Sequence, residues 1–167
     1  MANDKTTTIS SISEADLTTP TSTRRFALGQ RLKVETDGSA PEKEYLYVKA
    51  GSGLTALATY LVTFSATAGS EWTTGTPATT AVAREFAIAP VAFTTAYYGW
   101  VQVKGICNAT STSDTVTGNC ALAVNAAVTM SDAGNATFAA TTVGYWLASR
   151  TGSGTSSLML IGRSATI

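Results

Sequence analysis

The 167-residue sequence has no histidine, two cysteines, four prolines and three tryptophans, and charged side chains make up only 13% of it. A soluble domain typically carries roughly 25%. Without histidine, His-based nucleophilic triads and His-ligated metal centres are excluded outright. Two cysteines, Cys107 and Cys120, are too few for a disulfide framework or an all-cysteine zinc site. They flank a polar stretch, residues 108–119, that reads as a loop between two strands and lets the thiols face each other. A bridge and a reduced pair both stay open, because cytosolic synthesis favours thiols and an oxidising exterior favours the bridge. No apolar run approaches membrane-spanning length, and the opening MANDKTTTISSISEADL lacks the apolar core of a secretory signal. Synthesis in the cytosol is therefore expected. Lys and Arg together number 11, as do Asp and Glu, and this balance argues against direct nucleic-acid binding and against anionic membranes. Phosphate-cradling glycine loops and calcium loops are missing; Gly51-Ser52-Gly53 and Gly152-Ser153-Gly154 read as turns. The carboxylates are scattered, and Glu42 and Glu44 flank Lys43 as solvated surface would. No catalytic residue, metal site or cofactor is expected, and the chain does not read as an enzyme.

What is present is distributed unevenly. Fourteen of the 22 charged residues fall between Asp4 and Lys49, so the C-terminal two-thirds is nearly uncharged. Hydrophobic residues amount to 44%, which predicts a folded chain, and the length suits one domain. A surface so thin in charge must be covered by Thr, Ser and Asn, or by neighbours.

Residues 1–23 show no sustained periodicity and predict an extended N-terminal arm, mobile by itself or ordered on a partner. Residues 24–167 predict a single β domain. Arg24 and Arg25 stand at the junction. Phe26 to Gln30 and Arg31 to Glu35 predict two short strands with a bend at Gly29. Glu44 to Ala50 alternates cleanly and predicts a half-buried strand, with Leu46, Val48 and Ala50 on one face and Tyr45, Tyr47 and Lys49 on the other. Leu54 to Leu61 predicts a short helix or turn running into a strand. Residues 66–80, rich in Thr, Gly and Ala, predict a long surface loop whose Trp72 is the aromatic least expected in the core. From Ala81 onward, short strands predicted at 82–88, 91–93, 97–105, 122–124, 127–130, 137–139, 143–149 and 158–162 alternate with polar turns. Many short strands with little helix define an all-β chain, and a jelly roll or related antiparallel barrel or sandwich is the expected architecture.

The stretch Tyr97-Tyr98-Gly99-Trp100-Val101-Gln102-Val103-Lys104-Gly105 organises this reading. Strand alternation puts Tyr97, Gly99, Val101 and Val103 on a dry face and Tyr98, Trp100, Gln102 and Lys104 on a half-wet one. A glycine between two large aromatics admits the close approach of a neighbouring ring or backbone. By itself this is a central strand with a packed tryptophan. The run YYGWVQVKG, followed by alternating Ala, Val and Gly segments with polar turns, also resembles the C-terminal half of the capsid cement, or head decoration, proteins of short-tailed bacteriophages. The similarity spans mainly Ala81 to Arg163, and more loosely Leu28 to Ala50.

That resemblance implies a structural virion protein on the outer surface of an expanded icosahedral head, assembled in the host cytoplasm. It would act as a homotrimer that bridges subunits of the major capsid protein. The matching positions Gly99, Trp100, Val101, Gln102 and Gly105 would then be scaffold. Arg24, Arg25, Trp72, Tyr98, Trp100 and Trp146 are the residues expected at a subunit or capsid interface, since interfaces deplete charge and favour Tyr, Trp and Arg. The rival is a carbohydrate- or receptor-binding β module that stacks Trp72, Tyr98, Trp100 and Trp146 on sugars.

Overall fold

A computed structural model describes residues 12–34, 42–64, 72–75, 84–111, 115–116, 121–124, 130–132, 142–151, 154–161 and 164–165. Its elements are a short helix α1 (Glu14–Leu17) and the strands β1 (Arg31–Val34), β2 (Lys43–Ala50), β3 (Thr59–Phe64), β4 (Trp72–Gly75), β5 (Arg84–Ile88), β6 (Tyr98–Ser111), β7 (Thr115–Val116), β8 (Ala121–Val124), β9 (Met130–Asp132), β10 (Thr142–Trp146), β11 (Arg150–Thr151), β12 (Gly154–Ile161) and β13 (Ser164–Ala165). The all-β class expected from the sequence is what the chain forms.

The pairings close a ring of five strands, β2–β4–β3–β5–β6 and back to β2. All of these contacts are antiparallel except β2–β4, where Lys49 and Ala50 lie beside Thr73 and Thr74 in parallel. The barrel is therefore mixed rather than wholly antiparallel, and the jelly-roll connectivity expected within the class does not follow from these pairings. β6 is long enough to serve two sheets. Its first half pairs with β2, from Tyr98 to Lys104, and its second half pairs with β12 from Lys104 to Ser111. From β12 the sheet continues through β10 and β8 to β9, outside the barrel.

Strand alternation fills the ring. Leu46, Val48 and Ala50 of β2, Val101 and Val103 of β6, Val62 of β3 and Ala87 of β5 form one buried cluster, joined by Leu54, Ala89 and Phe93. Gly99 belongs to the same inward row, and a Cβ there would stand 2.6 Å from two carbons of the Phe93 ring. The glycine expected to admit a close neighbour admits Phe93.

The opposite row departs from expectation. Tyr45 and Tyr47 of β2 and Trp100 of β6 form a second buried cluster on the outside of the barrel. Trp100 is 1% exposed, so the half-wet face expected for it is dry, and β2 is buried on both faces rather than half-buried. The cause is the N-terminal segment. Ile12, Leu17, Phe26, Leu28, Leu32 and Val34 pack over these rings, and so residues 12–23 lie on the chain's own sheet instead of extending from it as an arm. The remainder of the expected arm, residues 1–11, lies outside the described residues.

Other boundaries also shifted. Residues 26–30 form a turn rather than a strand, with Gly29 at φ +81°. Of the helix or turn expected from Leu54, it is the turn that forms, at residues 56–57, and it runs into β3, while Leu54 makes an isolated bridge to Phe93. The stretch expected to be one long loop contains β4, which is inserted between β2 and β3. Thr74 is fully buried there, and the Thr63 hydroxyl donates to the Thr73 carbonyl at 3.2 Å. The strands expected at 127–130 and 137–139 fall largely or wholly outside the described residues, as does Cys120.

Candidate functional site

The segment folded over the aromatic face is held at several points. Phe26, Tyr47 and Trp100 form a triad of rings with centroids 5.1 to 5.3 Å apart, and such pairs contribute about 0.5–1.5 kcal/mol each beyond burial. Thr21 and Tyr98 exchange backbone hydrogen bonds at 2.9 and 2.8 Å. The Gly29 N–H donates to the Tyr47 carbonyl, and the Tyr47 N–H donates to that of Gln30. Further along, the Arg31 guanidinium spans three strands, reaching Glu44 at 2.6 Å and also Glu85.

The helix α1 is one turn long and depends on its cap. The Ser13 side chain accepts from the Asp16 N–H, while Asp16 Oδ2 accepts from the Ser13 N–H at 2.9 Å, a reciprocal capping box. Arg25 then closes on Asp16 Oδ1 at 2.6 Å. The Ser13 backbone N–H, the Ser13 hydroxyl and the Arg25 guanidinium hold the Asp16 carboxyl below the ordinary value of 3.8, against the opposing effect of desolvation. A depressed folded pKa means a contribution that is complete above the ordinary value and is lost as pH falls through the folded one. Acidification from about pH 5 to about pH 2 should therefore loosen this segment. Near-UV circular dichroism should report it through the Phe26, Tyr47 and Trp100 rings, and Asp16→Asn should already show part of the change at neutral pH. An Asp16→Asn protein with the wild-type acid profile would show that the box is not what fastens the segment.

Between α1, β1 and β2 lies a cleft of about 530 Å³ whose apolar lining is Ile12, Leu17, Leu32, Val34, Tyr45 and Pro90. Val34 sits opposite Lys43 and Leu32 opposite Tyr45, so strand alternation points Lys43 to the same face as these apolar side chains. Lys33 has the opposite parity and lies 3.2 Å from Glu42 Oε1. Lys43 also borders a smaller cavity of about 160 Å³ with Gln102, Cys107 and Asn108. Burial pushes the Cys107 thiol up to about 12, with Lys43 pulling in the other direction, so the thiol stays neutral at physiological pH.

The six residues singled out in the sequence do not converge on one surface. Arg24 is exposed, whereas Arg25 is occupied by Asp16 and sits 5.7 Å from the Phe26 ring centroid. Trp72 packs against the barrel core with its indole directly over Gly29, where there is no room for a Cβ. Trp72, the aromatic least expected in the core, is thus half-buried and packed against it, where Trp100 and Trp146 are fully buried. Tyr98 is half-buried beside Lys49. Trp100 and Trp146 are 1% and 0% exposed, so neither presents a ring to a partner as the chain stands. Their indole N–H groups find no acceptor among the described residues. The cleft was not foreseen from sequence; its one signal was the alternation of Leu32, Val34, Lys43 and Tyr45 on two neighbouring strands. Among the described residues no group of three or more Cys, Asp or Glu is placed to hold a metal ion, and no helix is long and apolar enough to cross a membrane.

Comparison with known proteins returns no matching family model, no matching curated protein and no matching solved structure.

Proposed function

We propose that this chain is a structural virion protein that binds the exterior of an expanded icosahedral phage head as a homotrimer and stabilises it by bridging subunits of the major capsid protein. The observation that carries the reading is the sheet that β6 builds beyond the barrel with β12, β10, β8 and β9. Residues 105–161 contain three charged side chains, Asp114, Asp132 and Arg150, and a charge-depleted sheet is what an interface core requires. The positions carried over from the resemblance support a scaffold role. Gly99, Trp100, Val101, Gln102 and Gly105 all lie buried in β6. The sugar-stacking alternative loses ground because Trp100 and Trp146 are spent inside the molecule.

A subunit stabilises the expanded lattice only by its difference in affinity for the two lattices. Purified protein mixed with expanded and unexpanded shells should therefore co-sediment with the expanded ones alone. Because the contact surface carries little charge, raising salt from about 50 mM to about 500 mM should weaken binding only modestly, where a charge-steered contact would weaken steeply. Equal binding to both shells, or to neither, refutes the proposal.

A further inference from the structure

We infer that the cleft between α1, β1 and β2 is a binding site for a linear aliphatic carboxylate, with Lys43 pairing the carboxylate and Leu17, Leu32 and Val34 covering the chain. The site is separate from the charge-poor sheet and does not depend on the function proposed above.

The size is right. A cleft of about 530 Å³ falls within the range of roughly 300–1,000 Å³ typical of small-molecule sites. At about 30 Å³ for each water-sized group, it accommodates a chain of about a dozen carbons with its carboxylate. The lining is chemically polarised as such sites are, with a broad aliphatic wall and a few polar groups that fix orientation. Those groups are Lys43, Lys33 and, at the α1 end, Ser13 and Thr18.

The charge is unbalanced. No carboxylate lines the cleft, and none among the described residues lies within 4.0 Å of the Lys43 ammonium. The neighbouring cavity supplies no anion either, since Gln102 and Asn108 are neutral there. Lys33 also lines the cleft, but its ammonium is already met by Glu42 at 3.2 Å. A half-buried lysine on an aliphatic wall gains most from a ligand that brings both an anion and an apolar chain. A neutral chain would leave the ammonium unpaired, and a cationic one would be repelled.

The test uses the full-length chain and four probes below their micellar concentrations: dodecanoate, dodecanol, dodecyltrimethylammonium and a short acidic-aliphatic peptide, acetyl-Asp-Leu-Leu-amide. Isothermal titration calorimetry should show saturable 1:1 binding of dodecanoate, at least about tenfold tighter than dodecanol or the cationic amphiphile. Lys43→Met keeps the aliphatic stem and should weaken dodecanoate about tenfold while leaving dodecanol unchanged. If that variant does not fold, the ranking of the probes on the wild-type chain decides alone. Absence of dodecanoate binding, equal affinity for dodecanol or for the cationic amphiphile, or an unchanged Lys43→Met affinity overturns the assignment. Tighter binding of the peptide than of dodecanoate also overturns it, in favour of a protein segment as the occupant.

Discussion

Trp100→Ala is expected to lower the unfolding free energy by about 3–5 kcal/mol, the range for removing a buried aromatic without collapse of the space it leaves. Collapse is blocked here because Trp100 is wedged between two layers that are fixed independently. Beneath it, β6 is hydrogen-bonded to β2 from Tyr98 to Lys104. Above it, the N-terminal segment is pinned by the Thr21–Tyr98 and Gly29–Tyr47 backbone bonds. Phe26 and Tyr47 would each lose a ring partner. Loss of stability should therefore be accompanied by release of the segment, read as faster tryptic cleavage after Arg24 and Arg25. Trp100→Phe should cost much less than the alanine change, since it keeps a ring in the triad and removes an indole N–H that has no acceptor among the described residues. Urea unfolding of the three proteins measures both effects. An alanine variant within about 1 kcal/mol of the wild type would mean that the segment does not seal this face.

Gly105→Ala should be nearly as damaging, although it adds one methyl group. Gly105 has φ +89°, where an L-residue with a Cβ is strained by about 1–2 kcal/mol. A Cβ would also stand 2.6 Å from the Glu42 carbonyl oxygen and 3.1 Å from the Lys43 Cα, both backbone atoms that cannot swing aside. Overpacking of that kind costs a further ~1–3 kcal/mol, for a total of about 2–5 kcal/mol. The position is special because the register of β2 against β6 slips here. Glu44 faces Lys104 but Tyr45 faces Gln102, leaving Val103 as the extra residue of a bulge. Gln102 closes the irregularity with its side-chain amide, donating 3.0 Å bonds to the carbonyls of both Lys104 and Ile106. The bulge is also where β6 leaves the barrel for the outer sheet. The alanine variant should thus lower the urea midpoint. A variant within about 0.5 kcal/mol of wild type would show that the backbone relaxes at little cost.

The sequence alone determined the β class, the inward rows and the place of the central strand. These follow from a period of two in Leu46, Val48, Ala50 and in Gly99, Val101, Val103, which is a local property of the chain. It also supplied the close approach at Gly99, because a missing side chain between two aromatics is legible without knowing which ring arrives. It did not determine what covers the other row. Tyr45, Tyr47 and Trp100 alternate with the core residues in the way that wet-face aromatics do, and only the folding-back of residues 12–34 makes them a second core. That covering depends on pairings such as Thr21 with Tyr98, which are 77 positions apart in the chain and leave no periodic mark. β4 was hidden for the same reason. Trp72-Thr73-Thr74-Gly75 is too short to show a period, and it becomes a strand because β2 and β3 offer edges on either side. The cleft beside Lys43 belongs to this second kind of fact as well. Its walls come from α1, β1 and β2, and it holds a Lys43 charge with no carboxylate partner among the described residues because Glu42 pairs with Lys33 while strand parity puts Lys43 on the apolar face. Tertiary structure decided these points because burial of an outward-facing row is a property of which distant segment lies over it.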